Sequence, residues 1–539
     1  MDVLPAATPP TSPKQPTMRL GAWSAYFVIK FVLLWRGLIG LHALENIAFA
    51  AFLMMPIGPL VGRRIRLAIA IPAAMALLYY DTWLPPIDRV LSQAKQLSAF
   101  SVTYVLELIG RLINWPVVAM LVLALVLCHI ADRYIRVGFL VVAALLVLTL
   151  TDSRRLGPPA STPIDTQSAQ LTGAPPASAG NPDDLDNALK TFYAQEAKRT
   201  VNFPNAESSV PFDIIFIHIC SLSWDDLQSL GMDQHPFWSG FDFVFHHFNS
   251  AASYSGPAAL RINRATCGQT AHQALYSPVS DQCLLMPSLK KSGFETNFAM
   301  NHDGHFDNFL TLVRQQGIAA PLVSFDGLTV PLRGFDNSPI YGDLDVLSRW
   351  FDGRQTASNP RVALFYNTIS LHDGNRYVSG AAAALSSTDS YKPRLEKLFS
   401  DLDEFMAKIG KSGRRALVVV VPEHGAALRG DKFQIAGLRE IATPAITTVP
   451  LAVKIIGPDA KRHGAPAQID AQISYLALSQ LIANLIATSP YGSTGFNTAD
   501  YTADLPTTAY VAQNEGAAIM QHGSKYYLKL DKEPWQEYN

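Results

Sequence analysis

Charged side chains are scarce in this chain: Asp, Glu, Lys and Arg make up 16% of its 539 residues, against roughly 25% in soluble proteins. The formal net charge is -1, so no excess of positive charge points to nucleic acid as a partner. No internal repeat is found, which excludes a repeat array. Cysteine is limited to four residues. With so few, each one has to be accounted for.

The charge deficit is concentrated in the first 150 residues. Five apolar stretches there, near 22–39, 46–61, 67–84, 116–130 and 137–151, are long enough, or nearly so, to cross a bilayer. The second, fourth and fifth are short. Arg63, Arg64 and Arg66 follow the second stretch, Arg133 and Arg136 follow the fourth, and Lys14 and Arg19 precede the first. The positive-inside rule puts all of these in the cytoplasm. An odd number of spans then exports everything after Thr151. Arg154 and Arg155 run against the rule, and Lys30 and Arg36 are costly unless they snorkel or face other helices. A single cleaved signal peptide does not explain several such stretches. The expected order is a cytoplasmic tail (1–20), a helical membrane domain of about five spans (21–152), a Pro/Ala/Ser-rich linker (153–184) and an exported domain (185–539).

Within the exported region strand-like runs alternate with helical patterns. The strands fall near 212–220, 243–248, 294–300, 322–325, 362–369, 416–421 and 451–456, and the clearest helices near 392–406 and 471–487. Such alternation predicts an α/β domain with a mainly parallel sheet covered by helices on both faces. Ligands in these sheets bind at the carboxyl ends of the strands.

Two of those ends carry chemistry. The first apolar run ends in Cys220, and the run 416–421 continues into Pro422-Glu423-His424-Gly425. Thiolate, carboxylate and imidazole are the side chains that bind zinc. A catalytic metal site is therefore the first hypothesis. A surface loop is the competing reading for Glu423 and His424, although two polar groups after an apolar strand cannot be buried cheaply without partners. Cys128 lies in an expected span as a small apolar residue. Cys267 and Cys283 close a short loop, where a disulfide would contribute on the order of 3 kcal/mol. That pairing leaves Cys220 reactive, buried or a ligand.

Ser255 stands in Ser253-Tyr254-Ser255-Gly256-Pro257, a helix start with proline in its first turn. Free amides and the positive end of the helix dipole make such a start a phosphate site, and a simple serine N-cap is the competing reading. Zinc beside the serine would lower its hydroxyl pKa and hold the alkoxide, giving a nucleophile without a general base. His372, before the Asp373-Gly374-Asn375 turn, is open as a second metal ligand, a proton donor to the leaving group or a turn residue. The cluster His302-Asp303-Gly304-His305 invites a metal, but nothing in the sequence ties it to Cys220. Tyr491, Phe496, Tyr501 and Tyr510 could stack on sugars or pack on their own domain.

The strings HICSLSWDDL, SYSGPAALR, FYNTISLHDGNR and VVVVPEHGAALRGDKFQIAGLREI resemble the cellulose phosphoethanolamine transferases of the BcsG type, encoded with bacterial cellulose synthases. The resemblance covers the whole chain and implies the alkaline phosphatase and sulfatase superfamily. It implies that Cys220, Glu423 and His424 bind Zn2+ with Ser255, and that Ser255 accepts phosphoethanolamine. It implies that His372 serves the acceptor or leaving group, that Tyr254 and Arg439 contact substrate, and that Cys267 and Cys283 form a disulfide. By the same resemblance the donor is phosphatidylethanolamine, the acceptor is the glucosyl C6 hydroxyl of cellulose, and the catalytic domain is periplasmic beside the synthase subunits at the inner membrane. Lipid A enzymes use a threonine nucleophile and carboxylates where this chain has Ser255 and Cys220, which favours the cellulose branch. A lipid A transferase, a periplasmic phosphatase and a non-catalytic scaffold of the synthase complex are the alternatives.

Overall fold

The structure, a computed structural model, describes residues 20–21, 23–36, 39–56, 60–82, 100–112, 115–131, 134, 137–155, 182–207, 209–431, 433–531 and 533–538. It divides into two compact units, one of residues 1–98 with 109–173 and the other of 99–108 with 174–539. The expected cytoplasmic tail and most of the expected linker lie outside the described residues.

The first unit is helical. Its helices include Trp23–Trp35, Ala43–Met54, Leu60–Asp81, Trp115–Ala131 and Val137–Arg155. The lysine expected to be costly in the first stretch is buried and paired with Asp81. Lys30 Nζ donates to Asn46 Oδ1 (2.6 Å), and Asn46 Nδ2 donates to Asp81 Oδ2 (2.9 Å). A buried ammonium needs this kind of partnered setting. The exterior stays apolar, with Ile65, Ile69, Met75, Val122, Leu127 and Leu150 exposed.

The expectation of about five spans is not matched as such. Among the described residues no single helix is long and apolar enough to cross a membrane, and only the pair Val102–Arg111 and Trp115–Ala131, bent by 56°, meets that requirement together. The reasons are local. The second stretch is divided, one helix ending at Met54 and the next starting at Leu60, and that 22-residue helix carries Arg63, Arg64 and Arg66 in its first turns and Pro72 inside.

A seven-stranded sheet organises the second unit. Its strands are β1 (Asp213–Cys220), β2 (Phe243–Asn249), β3 (Glu295–Met300), β4 (Val362–Thr368), β5 (Ala416–His424), β6 (Thr448–Ile456) and β7 (Ala467–Ile469), in the spatial order β7-β2-β6-β5-β1-β4-β3. All neighbours are parallel except the two pairs made by β6. Every residue of β1, β4 and β5 is buried. Side-chain alternation along a strand explains how one run feeds two cores. Ile214, Phe216, Leu417 and Val419 enter one apolar cluster with helix Tyr475–Ala487, whereas Ile215, Ile217, Val418 and Val420 enter another with helix Tyr391–Ser412. The mainly parallel sheet with both faces covered is thus observed.

One expectation about this unit needs correction. Residues 322–325 form no strand; Leu322 makes only an isolated bridge to Phe298. Of the two readings of the late aromatics, packing on their own domain is the one observed: Tyr491, Phe496, Tyr501 and Tyr510 are no more than 5% exposed. Sequence reading also missed a four-stranded antiparallel sheet built from Val511–Asn514, Ala517–His522, Lys525–Leu530 and Gln536–Tyr538.

Candidate active site

Ladder register brings Cys220 to the end of β5. Pairing runs evenly from Asp213↔Ala416 to Ile219↔Pro422, then slips so that Cys220 faces His424. Glu423 is the extra residue of this bulge. In a regular strand adjacent side chains point to opposite faces, so Glu423 and His424 could not both reach Cys220. The bulge re-aims them. It also accommodates Pro422, which lies beyond the last β5–β6 pair, Val420↔Ala452.

One donor atom from each of Cys220, Glu423 and His424 lies within 4.8 Å of the others, and all three residues are buried. His424 Nδ1 is 2.9 Å from the Gly425 carbonyl oxygen. That carbonyl can only accept, so Nδ1 carries the hydrogen and Nε2 presents its lone pair 3.9 Å from Cys220 Sγ. Glu423 Oε1 is held by Asn367 Nδ2 at 2.6 Å, whereas Oε2 is buried without a hydrogen-bond partner among the described residues. An orphaned carboxylate oxygen, an imidazole oriented through its second nitrogen and a thiol fit a cation's requirements.

Electrostatics point the same way. Burial and the Glu423 charge push the Cys220 thiol up to about 12. Burial and the Arg439 charge bring His424 down to about 3. Burial opposes the Glu423 charge, yet His218, whose Nδ1 lies 3.2 Å from Oε1, holds its carboxyl below the usual carboxylate range. A divalent cation would reverse the thiol's position, since a coordinating thiol deprotonates.

Ser255 opens the helix Ser255–Asn263, for which Tyr254 is the N-cap. The serine N-cap reading is therefore replaced: the Ser255 hydroxyl donates to Cys220 Sγ at 3.2 Å and is free of any capping role. Arg439 is buried, donates from Nη1 to Ser221 Oγ (3.0 Å) and lies over the Tyr254 ring at 5.6 Å. Its Nε has no hydrogen-bond partner among the described residues. Tyr254 itself donates to Glu440 Oε1 at 2.7 Å. His372 follows β4, half-buried, and its Nδ1 lies 2.6 Å from the Asp373 carbonyl, which leaves Nε2 as the basic nitrogen. Burial and Arg439 lower His372 to about 4. It is not part of the three-residue donor cluster. Cys267 and Cys283 are joined by a disulfide.

His218 and Asn367 went unnoticed in the sequence, although each is a polar residue inside an apolar strand run. Such residues need buried partners.

The BcsG N-terminal domain family matches residues 23–150, and the cellulose biosynthesis protein BcsG C-terminal domain family matches residues 171–535. Cellulose biosynthesis protein BcsG of Escherichia coli strain K12 is 41% identical over 542 residues, covering 96% of this chain and 96% of that protein. The Salmonella typhimurium strain LT2 protein of the same name is 42% identical with the same coverage. Solved structures with a related shape include a protein in the alkaline phosphatase superfamily from Vibrio parahaemolyticus, with 15% identity, TM-score 0.48, and coverage of 65% of this chain and 87% of that one. The C-terminal periplasmic domain of EcEptC from Escherichia coli has 13% identity, TM-score 0.41, and coverage of 59% and 93%.

Proposed function

The chain belongs to the family of cellulose biosynthesis protein BcsG, and on that premise we propose that it moves phosphoethanolamine from phosphatidylethanolamine to glucosyl C6 hydroxyls of cellulose through a covalent phosphoethanolamine-serine at Ser255. The observation that carries this reading is the Ser255 hydroxyl, 3.2 Å from the sulfur of a buried three-donor cluster.

Cys220, Glu423 and His424 hold a zinc ion in this reading, with the Ser255 oxygen as a further contact. Bound there, zinc supplies charge neutralisation at phosphorus and a lowered serine pKa. The chain's own groups perform the rest. Ser255 Oγ, its proton released to solvent, forms a bond to phosphorus as the phosphorus–diacylglycerol oxygen bond breaks and that oxygen takes up a proton from solvent. Arg439, with its Nε unpartnered, binds nonbridging oxygens, and Tyr254 lines the same place. His372 Nε2 then takes the proton of the C6 hydroxyl as that oxygen attacks phosphorus and Ser255 Oγ departs. Two half-reactions on one serine give ping-pong kinetics.

A donor drawn from lipid accounts for a catalytic fold joined to a helical unit with an apolar exterior. The organisation proposed is a cytoplasmic tail (1–20), an inner-membrane domain (21–152), a linker (153–184) and a periplasmic catalytic domain (185–539), in contact with cellulose synthase subunits. The test is acceptor assignment with headgroup-labelled phosphatidylethanolamine. Label in cellulose is the expected result; label in lipid A and none in cellulose contradicts the proposal.

A further inference from the structure

The His302 cluster, unconnected to Cys220 in the sequence, reaches Glu423 through a single amide. On three adjacent strands, ladder register sets His218 of β1 beside Asn367 of β4, and Asn367 beside Met300 of β3, two residues before His302. His302 Nδ1 lies 3.2 Å from the Gly304 amide nitrogen. A backbone N–H can only donate, so Nδ1 accepts and the ring hydrogen resides on Nε2. That hydrogen points at Asn367 Oδ1, 2.8 Å away. The Asn367 NH2 group is thereby turned the other way, to Glu423 Oε1 at 2.6 Å, and His218 Nδ1 lies 3.2 Å from the same oxygen. A reversed amide would oppose two acceptor oxygens at the carboxylate.

The arrangement is built rather than incidental. Gly304 has φ +67°, and a Cβ there would meet Met300 Cε at 2.8 Å and Leu310 Cβ at 2.9 Å, so only glycine makes the turn that offers its N–H to His302. Asn367 is 1% and His302 7% exposed. Burial lowers the His302 pKa, in keeping with a neutral ring of fixed tautomer.

We propose that His302 and Asn367 are positioning residues of the metal centre: His302 orients the Asn367 amide, and the amide holds Glu423 Oε1 so that Oε2 remains directed at His424 Nε2, 3.7 Å away. The proposal rests on the metal-site reading above and not on the identity of either substrate. Neither residue touches the reacting atoms.

The experiment is zinc affinity of the full-length chain in detergent, measured by competition with a chromophoric chelator. Outer-shell partners of metal ligands change affinity about 10–100-fold. Asn367→Asp places an acceptor against Glu423 and should weaken zinc binding within that range. His302→Leu removes the donor and should weaken it about 10-fold, whereas His302→Gln, whose amide nitrogen can occupy the Nε2 position, should restore affinity to within about threefold of wild type. Circular dichroism and melting temperature identify any variant that fails to fold; if Asn367→Asp is lost this way, the Leu and Gln pair decides. Folded variants that bind zinc as tightly as wild type overturn the proposal alone. A wild-type chain that takes up no zinc overturns the metal-site reading, and this proposal with it.

Discussion

The Ser255 hydroxyl donates to Cys220 Sγ across 3.2 Å, although the two residues stand 35 positions apart. Helix Ser255–Asn263 delivers the first and the end of β1 the second. Because Tyr254 occupies the N-cap, the Ser255 hydroxyl is not spent on capping the helix. Its partner is the thiol that burial and Glu423 push up to about 12. Two consequences follow for the metal and for the acceptor half-reaction.

Zinc uptake should release the Cys220 proton, since only the thiolate ligates. Affinity should therefore fall about tenfold for each unit of acidification per proton displaced. Chelator competition across a pH series reads this directly. An affinity independent of pH would contradict ligation by Cys220, as would a Cys220→Ala chain that retains full zinc content.

His372 is assigned to the second half-reaction, with Nε2 as the base. Replacing it by Ala should slow transfer to glucan by about 10²–10⁴-fold while the serine adduct still forms and accumulates. The lowered pKa, about 4, keeps the ring neutral at ordinary pH. Protonation of this group should accordingly switch off transfer only as pH falls toward 4, with no loss through 6.5. Rapid-quench measurement of adduct decay across pH checks both points.

The Cys267–Cys283 disulfide closes a loop of 16 residues. Loop-closure entropy assigns such a bond about 3 kcal/mol of stability. A Cys267→Ala/Cys283→Ala chain should lose about that much in denaturant unfolding of the catalytic unit, without loss of zinc stoichiometry. Unchanged unfolding midpoints would contradict the assignment.

The strand ends were readable from sequence because β1 and β5 are short, apolar and β-branched, and stop abruptly at polar residues. What could not be read was the slip in register after Ile219. Strict alternation predicts that Glu423 and His424 diverge, and only the three-dimensional bulge brings them together. Asn367 and His218 were hidden for a related reason: their roles depend on which strands are neighbours, and sheet order is not written along the chain. The four late aromatics stayed open between two readings because aromatic content is the same for a sugar platform and a core, and burial alone decides for the core. In the first unit, apolar composition indicated the helices. Their ends depended on local stops such as the one at Met54, so among the described residues no single helix is long and apolar enough to cross a membrane.

The central claim is that Ser255 carries the phosphoethanolamine group. Full-length protein incubated with phosphatidylethanolamine, without glucan, should be digested and examined by peptide mass spectrometry. The account predicts a phosphoethanolamine adduct on Ser255 that vanishes when glucan is added and is absent from a Ser255→Ala chain that still binds zinc. An adduct on another residue, or one that persists in Ser255→Ala, would contradict it.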